Sequence, residues 1–300
     1  MPELKQCVIL NPNAGAADQT QLLEGLKVLG SVALFTLQAA GEGAKVAREA
    51  AADGFTRIIV AGGDGTLNEV VNGLADHFAD VELGIIPLGT GNDFDRSMNI
   101  PAEVAGAVAL LEQGVSWPVD VVNVTSEACP TCYFINVSAG GFSAIVDEKL
   151  QKEHKDWLGS LAYGWSALKA LPELSAFRLR LTFDDQPPEE MSAYNVVIAN
   201  ARYVAGGIPV APLAELDDGL LDVLIFREMP LAKIALLLPK AMVGEHQGDE
   251  DVIYRQAARV SIAADPPFHF NTDGEAGGCS PATFEVLPKA LRVIGGASSP

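Results

Sequence analysis

The stretch A-G-G-D-G-T-L-N-E at positions 61–69 decides how this 300-residue chain is read. Before it lies R-I-I-V at 57–60, a short apolar run with Gly54 behind and Gly62 ahead, which is the pattern of a buried strand. After it, Leu67, Val70, Val71, Leu74 and Phe78 recur at helical spacing. Thr66 and Glu69 stand three apart, as in a helix capping box. The unit is strand, glycine turn, helix, with Asp64 in the turn. Glycine lets backbone amides approach a phosphate closely, and the helix start adds unpaired N–H groups and a positive dipole end. A carboxylate beside phosphate is repulsive unless a cation lies between them, so Asp64 points to a polyphosphate site with magnesium. A plain chain-turning role competes with this, because strand–glycine–helix units are common in α/β proteins.

Around this unit the chain alternates. Strand-like runs at 7–10 and 32–37 and helix-like runs at 21–29 and 43–52 precede it, which predicts a parallel sheet covered by helices on both faces. A second strand, 83–86, leads into P-L-G-T-G-N-D-F at 87–94. Ligands of open parallel sheets bind beyond the strand carboxyl ends, so two adjacent glycine loops would wall one pocket. Thr90 is placed to contact phosphate or adenine, and Asn92 and Asp93 to hold magnesium or its water; a helix N-cap is the competing role for Asp93. A helix over 102–113 follows. From Pro118 the texture changes to alternating runs at 119–125, 133–138, 177–183 and 195–199, the pattern of antiparallel strands, interrupted by helical pieces at 143–152 and 160–171. The expected division is 1–120, a nucleotide-binding α/β domain, and 121–300, a β-sandwich domain carrying metal and acceptor-side residues.

Composition narrows the classes. Thirty-nine acidic against 20 basic residues give a net charge of −19, which argues against nucleic acid and against strong electrostatic docking to anionic membrane. The N-terminus lacks a signal-peptide pattern, and the longest apolar stretch, 231–243, is broken by Lys233, Pro239 and Lys240. A soluble, cytoplasmic chain without a transmembrane segment is expected. Cys129 and Cys132 form C-P-T-C, which fits half a zinc site, a redox pair or a hairpin turn; the turn is favoured because no second Cys/His pair stands at ligand spacing, and Cys7 and Cys279 stand alone.

The wording of the motifs carries a resemblance. G-G-D-G-T at 62–66 is similar to the signature shared by diacylglycerol, sphingosine, ceramide and NAD kinases and, as G-G-D-G-S, phosphofructokinases. G-T-G-N-D-F at 89–94 resembles the lipid-kinase form G-T-x-N-D-F. N-P-N-A-G at 11–15 resembles the family's first phosphate-side loop, although Ala16-Ala17-Asp18 follows where a basic residue is common. A-E-L-D-D-G-L-L at 214–221 resembles the segment A-x-x-x-D-G-x-L, and D-G-E at 273–275 the turn that supplies the catalytic carboxylate. Four ordered motifs make the chain look most like YegS-type bacterial lipid kinases of the diacylglycerol kinase catalytic family.

That resemblance implies an α/β domain of the NAD kinase/diacylglycerol kinase type followed by an antiparallel β-sandwich, and ATP-dependent phosphorylation of a lipid hydroxyl on diacylglycerol, phosphatidylglycerol or a similar lipid. It implies catalytic roles for Glu275 and Asp64, and nucleotide contacts from Gly63, Asp64, Gly65, Thr66, Leu67, Asn68, Glu69, Thr90, Asn92 and Asp93. It implies a structural magnesium, or calcium, at Glu215, Asp218 and Leu220, the first and last through backbone oxygen. The implied partner is a lipid at a membrane surface or in micelles, with peripheral attachment to the inner membrane face and a homodimer as further expectations. Thr36 or Leu37 stands where the family often has a nucleotide-side Thr. An NAD kinase-like enzyme and a non-catalytic nucleotide-binding regulator are the alternatives; the N-D-F loop and the D-G-E turn argue against the first, and the presence of Asp64, Asp93 and Glu275 against the second. Lys149, Lys152 and Lys155, beside Trp157, fit a solvated helix edge better than a lipid-facing cluster.

Overall fold

The structure, a computed structural model, describes residues 4–15, 19–142 and 174–296. By contacts the chain divides into one unit of Met1–Val121 with Pro288–Pro300, and a second of Val122–Leu287. The expected helices at 143–152 and 160–171 and the lysines at 149, 152 and 155 lie outside the described residues. The segment from 288 onward, which the linear division assigns to the second domain, clusters with the first.

The first unit is a parallel sheet of apolar strands. β1 (Gln6–Leu10), wholly buried, pairs with β2 (Val32–Thr36) on one side and β3 (Arg57–Gly62) on the other. β3 pairs with β4 (Glu82–Pro87), and the end of β15 (Ala282–Ile294) runs parallel to β4 through Arg292 and Val293. Five of six positions in β3 and in β4 are buried, as a strand covered on both faces requires. The helices pack as two pairs, α1 (Gln19–Leu26) with α5 (Val104–Gln113), and α2 (Glu42–Ala52) with α3 (Asp64–Gly73). A short helix α4 (Asp93–Ser97) follows β4. The chain leaves β1 toward β2 but returns to β3 on the opposite side. The sheet order therefore reverses between β1 and β3, and the loops leaving those two strands part to opposite faces there, the usual ligand crevice of an open parallel sheet.

The second unit is antiparallel. β9 (Glu189–Ala199) is the hub: β8 (Phe177–Phe183) pairs with its first half, β7 (Val137–Gly141) with its second, and β10 (Leu221–Arg227) lies along its other edge. β10 also pairs with β11 (Val252–Ala257), β8 with β12 (Arg259–Asp265), and β12 with the first part of β15. The hairpin of β13 (His269–Thr272) and β14 (Glu275–Cys279) joins at β7. β5 (Ser116–Ser126) and β6 (Cys132–Phe134) form another hairpin. The stretch at 231–243 is a helix, α6 (Leu231–Met242), laid by Ile234 and Leu237 on a cluster with Val197, Ala199 and Leu224. Among the described residues no helix is long and apolar enough to cross a membrane.

An aromatic chain fixes β13 in this unit. Phe268, Phe270, Phe284 and Phe134 meet edge-to-face, with successive ring centroids 5.1, 4.8 and 6.3 Å apart. Phe270 is 1% exposed, so its burial contributes roughly 2–3 kcal/mol to holding the hairpin whose tip carries Asp273, Gly274 and Glu275.

Candidate active site

β3 and β4 run in register, with Ala61 opposite Ile86, so their outgoing turns leave the sheet side by side. Gly63 and Gly89 touch there: a Cβ on Gly89 would stand 2.7 Å from the Gly63 Cα, so neither turn has room for a side chain. Asp64, the first residue of α3, then ties the two turns. Its carboxylate accepts the backbone N–H of Asn92 at 2.8 Å and of Asp93 at 3.0 Å. Burial nevertheless holds its pKa above the ordinary carboxylate range, against the pull of those amides.

The first intrahelical bond of α3 runs from the Leu67 N–H to the Gly63 carbonyl. The amides of Asp64, Gly65 and Thr66 come before it, at the anion-attracting end of the helix. Leu67 itself is buried and packs in the core. The β1 loop adjoins this turn through Asn11, whose side-chain amide donates to the Thr66 hydroxyl at 2.9 Å. The expected capping box is not formed. The N-cap is Gly63, without a side-chain bond, and Glu69 turns away to accept the N–H groups of Gly41 and Gly43, both at 2.8 Å, at the start of α2. Glu69 thereby joins α3 to α2. The amide of Asn72 donates to the Asn68 carbonyl. Thr90 is exposed at the tip of the β4 turn, and Thr36 is exposed at the end of β2.

Asp93 does not serve as an N-cap; Asn92, at φ 51°, occupies that place without a side-chain bond to the helix. Asp93 and Asp95 are both buried, 7% and 5% exposed, close to Asp64. Burial, then the neighbouring Asp64 and Asp93 carboxylates, push the Asp95 pKa up to about 8, with Arg96 opposing. Among the described residues, Asp95 Oδ1 and Asn92 Oδ1 are buried without a hydrogen-bond partner. Three crowded carboxylates with an unsatisfied oxygen are the donor set a hard divalent cation takes. Asp95 was absent from the sequence expectations; its signal was the alternation of acids in N-D-F-D at 92–95.

The same crowding has a pH consequence. The unfolded chain ionises Asp95 near pH 4, while the folded one holds the proton to about pH 8. The contribution of Asp95 to stability is therefore fully present below pH 4 and is lost as pH rises toward 8, at up to roughly 1.4 kcal/mol per unit. Asp95→Asn should remove that slope. In magnesium-free buffer, thermal melts should show the variant gaining on the parent as pH goes from 5 to 8; parallel melting curves would mean that Asp95 ionises normally.

In the second unit, the β13–β14 turn is a two-residue D-G connection with φ 50° at Asp273 and 87° at Gly274, the positive pair that matches strand twist. The Asp273 carboxylate accepts N–H groups from Ile135, Asn136 and Val137 at 3.2, 3.2 and 2.9 Å. Thr272 is held by Ser138 at 3.0 Å. This leaves Glu275, paired with Thr272, exposed on a turn pinned from behind. Asp273 is thus an anchor, and Glu275 the carboxylate it presents.

The D-D-G segment also forms a turn, with the Leu220 N–H donating to Asp218 Oδ1 at 2.9 Å. Glu215 and Asp218 are exposed, while the nearby Asp222 is fully buried. Burial pushes the Asp222 pKa up to about 6; hydrogen bonds from the Tyr254 hydroxyl and the Gln256 side chain oppose it, and the Asp218 and Glu215 carboxylates add to it. Its Oδ2 has no hydrogen-bond partner among the described residues. Three carboxylates and an orphaned oxygen fit a hard cation here too. Asp222 is the member that the expected trio of Glu215, Asp218 and Leu220 did not include.

The likeness to known proteins covers the chain. Residues 5–124 match the diacylglycerol kinase catalytic domain, and residues 136–295 the YegS C-terminal NAD kinase beta sandwich-like domain. The chain is 34% identical over 294 residues to a diacylglycerol kinase of Bacillus subtilis (strain 168), covering 96% of this chain and 95% of that one. It is 33% identical over 292 residues to a diacylglycerol kinase of Staphylococcus carnosus (strain TM300), at 95% and 93% coverage. A crystal structure of a diacylglycerol kinase from Bacillus anthracis str. Sterne superposes with a TM-score of 0.77 at 25% identity, over 99% of this chain and 98% of that one. Neither the NAD kinase-like nor the regulator alternative is favoured by these relatives. With its parallel α/β unit, antiparallel β unit and both domain matches in order, the chain belongs to the diacylglycerol kinase catalytic family of ATP-dependent lipid kinases.

Proposed function

We propose that the enzyme transfers the γ-phosphoryl group of magnesium-ATP to the free hydroxyl of diacylglycerol. The observation that carries this is the junction of the two glycine turns by Asp64, which gathers Asp64, Asp93 and Asp95 beside the first-turn amides of α3. In this reading the amides of Gly65 and Thr66 and the Thr90 hydroxyl face the phosphates, and the three carboxylates hold the magnesium. Gly63 contributes by letting the phosphates approach. The cation supplies charge neutralisation for the polyphosphate. Glu275 accepts the acceptor proton as the hydroxyl oxygen bonds to the γ-phosphorus and ADP leaves. The names of the relatives support diacylglycerol as acceptor. The test is transfer of label from γ-labelled ATP to diacylglycerol, phosphatidylglycerol, monoacylglycerol and sphingosine in mixed micelles. Label in phosphatidic acid above all other products is expected; label in another lipid alone would reassign the acceptor.

The Glu215–Asp218–Leu220 segment, with Asp222, is proposed to hold a structural magnesium or calcium. Magnesium should raise the parent melting temperature more than that of Asp218→Ala, and equal shifts would make the segment a plain turn. Access to diacylglycerol also entails work at a membrane or micelle surface, as a monomer or a homodimer. Vesicle sedimentation and sedimentation velocity test these two points; a chain that never pellets with diacylglycerol vesicles would sink the first.

A further inference from the structure

The expectation that Cys279 stands alone does not hold: it is bonded to Cys129, 150 residues earlier, with Cα atoms 5.6 Å apart. Cys132 is not its partner and remains a free thiol. His269 sits directly opposite Cys279 on the β13–β14 ladder, with its Nδ1 3.4 Å from the Cys279 sulfur. The ligand atoms of Cys129, His269 and Cys279 all lie within 4.8 Å of one another. The three come from the β5–β6 loop and the two strands of the hairpin that carries Glu275, so their convergence is tertiary.

We propose that the reduced form of this cluster is a zinc site, with Cys129, His269 and Cys279 as its three protein ligands. A dithiol reductant gives two electrons to the Cys129–Cys279 bond and leaves as its own cyclic disulfide, yielding two thiols. Zinc then displaces one proton from each thiol and takes the imidazole nitrogen. Tetrahedral zinc with Zn–S near 2.3 Å and Zn–N near 2.0 Å sets sulfur and nitrogen about 3.5 Å apart and the two sulfurs about 3.8 Å apart. The Cys279–His269 separation already fits, and Cys129, half-buried in a loop, is free to retreat once the bond is broken. Thiolate and imidazole select zinc-like ions, whereas magnesium requires oxygen, so this site does not compete with the carboxylate clusters. His269 is exposed, which provides an entry path. Cys132 holds its sulfur beside Gly277 instead of in the cluster, so among the described residues no fourth side chain joins it and water takes the fourth coordination position. In a reducing compartment the thiol form prevails, and the site serves as a staple at the base of the Glu275 hairpin.

The full chain, reduced with dithiothreitol and exchanged into phosphine reductant, is titrated with zinc and measured by native mass spectrometry, with cobalt absorption reporting thiolate coordination. One zinc per chain is expected, with affinity at least tenfold weaker in both Cys129→Ser and His269→Ala, and unchanged in Cys132→Ser. Circular dichroism establishes that each variant is folded, and His269, being exposed, is the safer position if Cys129→Ser unfolds. No zinc on the reduced parent, parent-like affinity in the folded variants, or loss of zinc in Cys132→Ser would each overturn the assignment.

Discussion

Asp64→Asn should lower lipid phosphorylation by roughly three orders of magnitude while the protein still folds. A cation at a transferring phosphoryl group stabilises the transition state by several kcal/mol, and each 1.4 kcal/mol is tenfold in rate. Asn keeps the shape but not the charge that the proposed cation requires. Its single oxygen retains one of the two amide bonds from Asn92 and Asp93, and its NH2 group leaves the other N–H without an acceptor, at a cost of roughly 1–3 kcal/mol. Removal of a charge that burial disfavours offsets part of that. Initial rates and thermal melts on the same preparation check both halves. Parent-like turnover would remove Asp64 from the mechanism, and a collapsed melt would make it mainly the tie between the two turns.

Glu275→Gln should reduce kcat by roughly two orders of magnitude or more, with KM for ATP within about twofold of the parent. The change keeps the side-chain shape, and among the described residues nothing that pins the turn involves the Glu275 carboxylate: Asp273 accepts the three amides behind it, and Phe270 is buried. The loss should therefore fall on proton transfer from the acceptor. If ATP affinity drops instead, Glu275 belongs with the nucleotide and its cation.

Much of this was legible because the informative signals are local. Strand–glycine–helix punctuation located β3, β4 and their turns, and the D-G dipeptide located the β13–β14 hairpin. What escaped were pairings between distant residues. Glu69 looked like half of a capping box because Thr66 stands three residues before it, but the amides it satisfies belong to Gly41 and Gly43, on another helix. Asp95 is absent from the sequence reading, and Asp222 stands in its acidic cluster without a ligand role, because their character comes from burial beside other carboxylates, which no spacing reports. The Cys129–Cys279 contact and the return of β15 to β4 span most of the second unit, and sequence pattern carries no term for either.

In the proposed mechanism Asp64, Asp93 and Asp95 form a cation seat without which the nucleotide phosphates are repelled. Calorimetric titration of ATP into the protein, with magnesium and then with chelator, tests it most directly. Binding with magnesium should be at least tenfold tighter than binding in chelator, a margin of about 1.4 kcal/mol or more. ATP that binds equally well in chelator would mean that the three carboxylates seat no cation for the nucleotide.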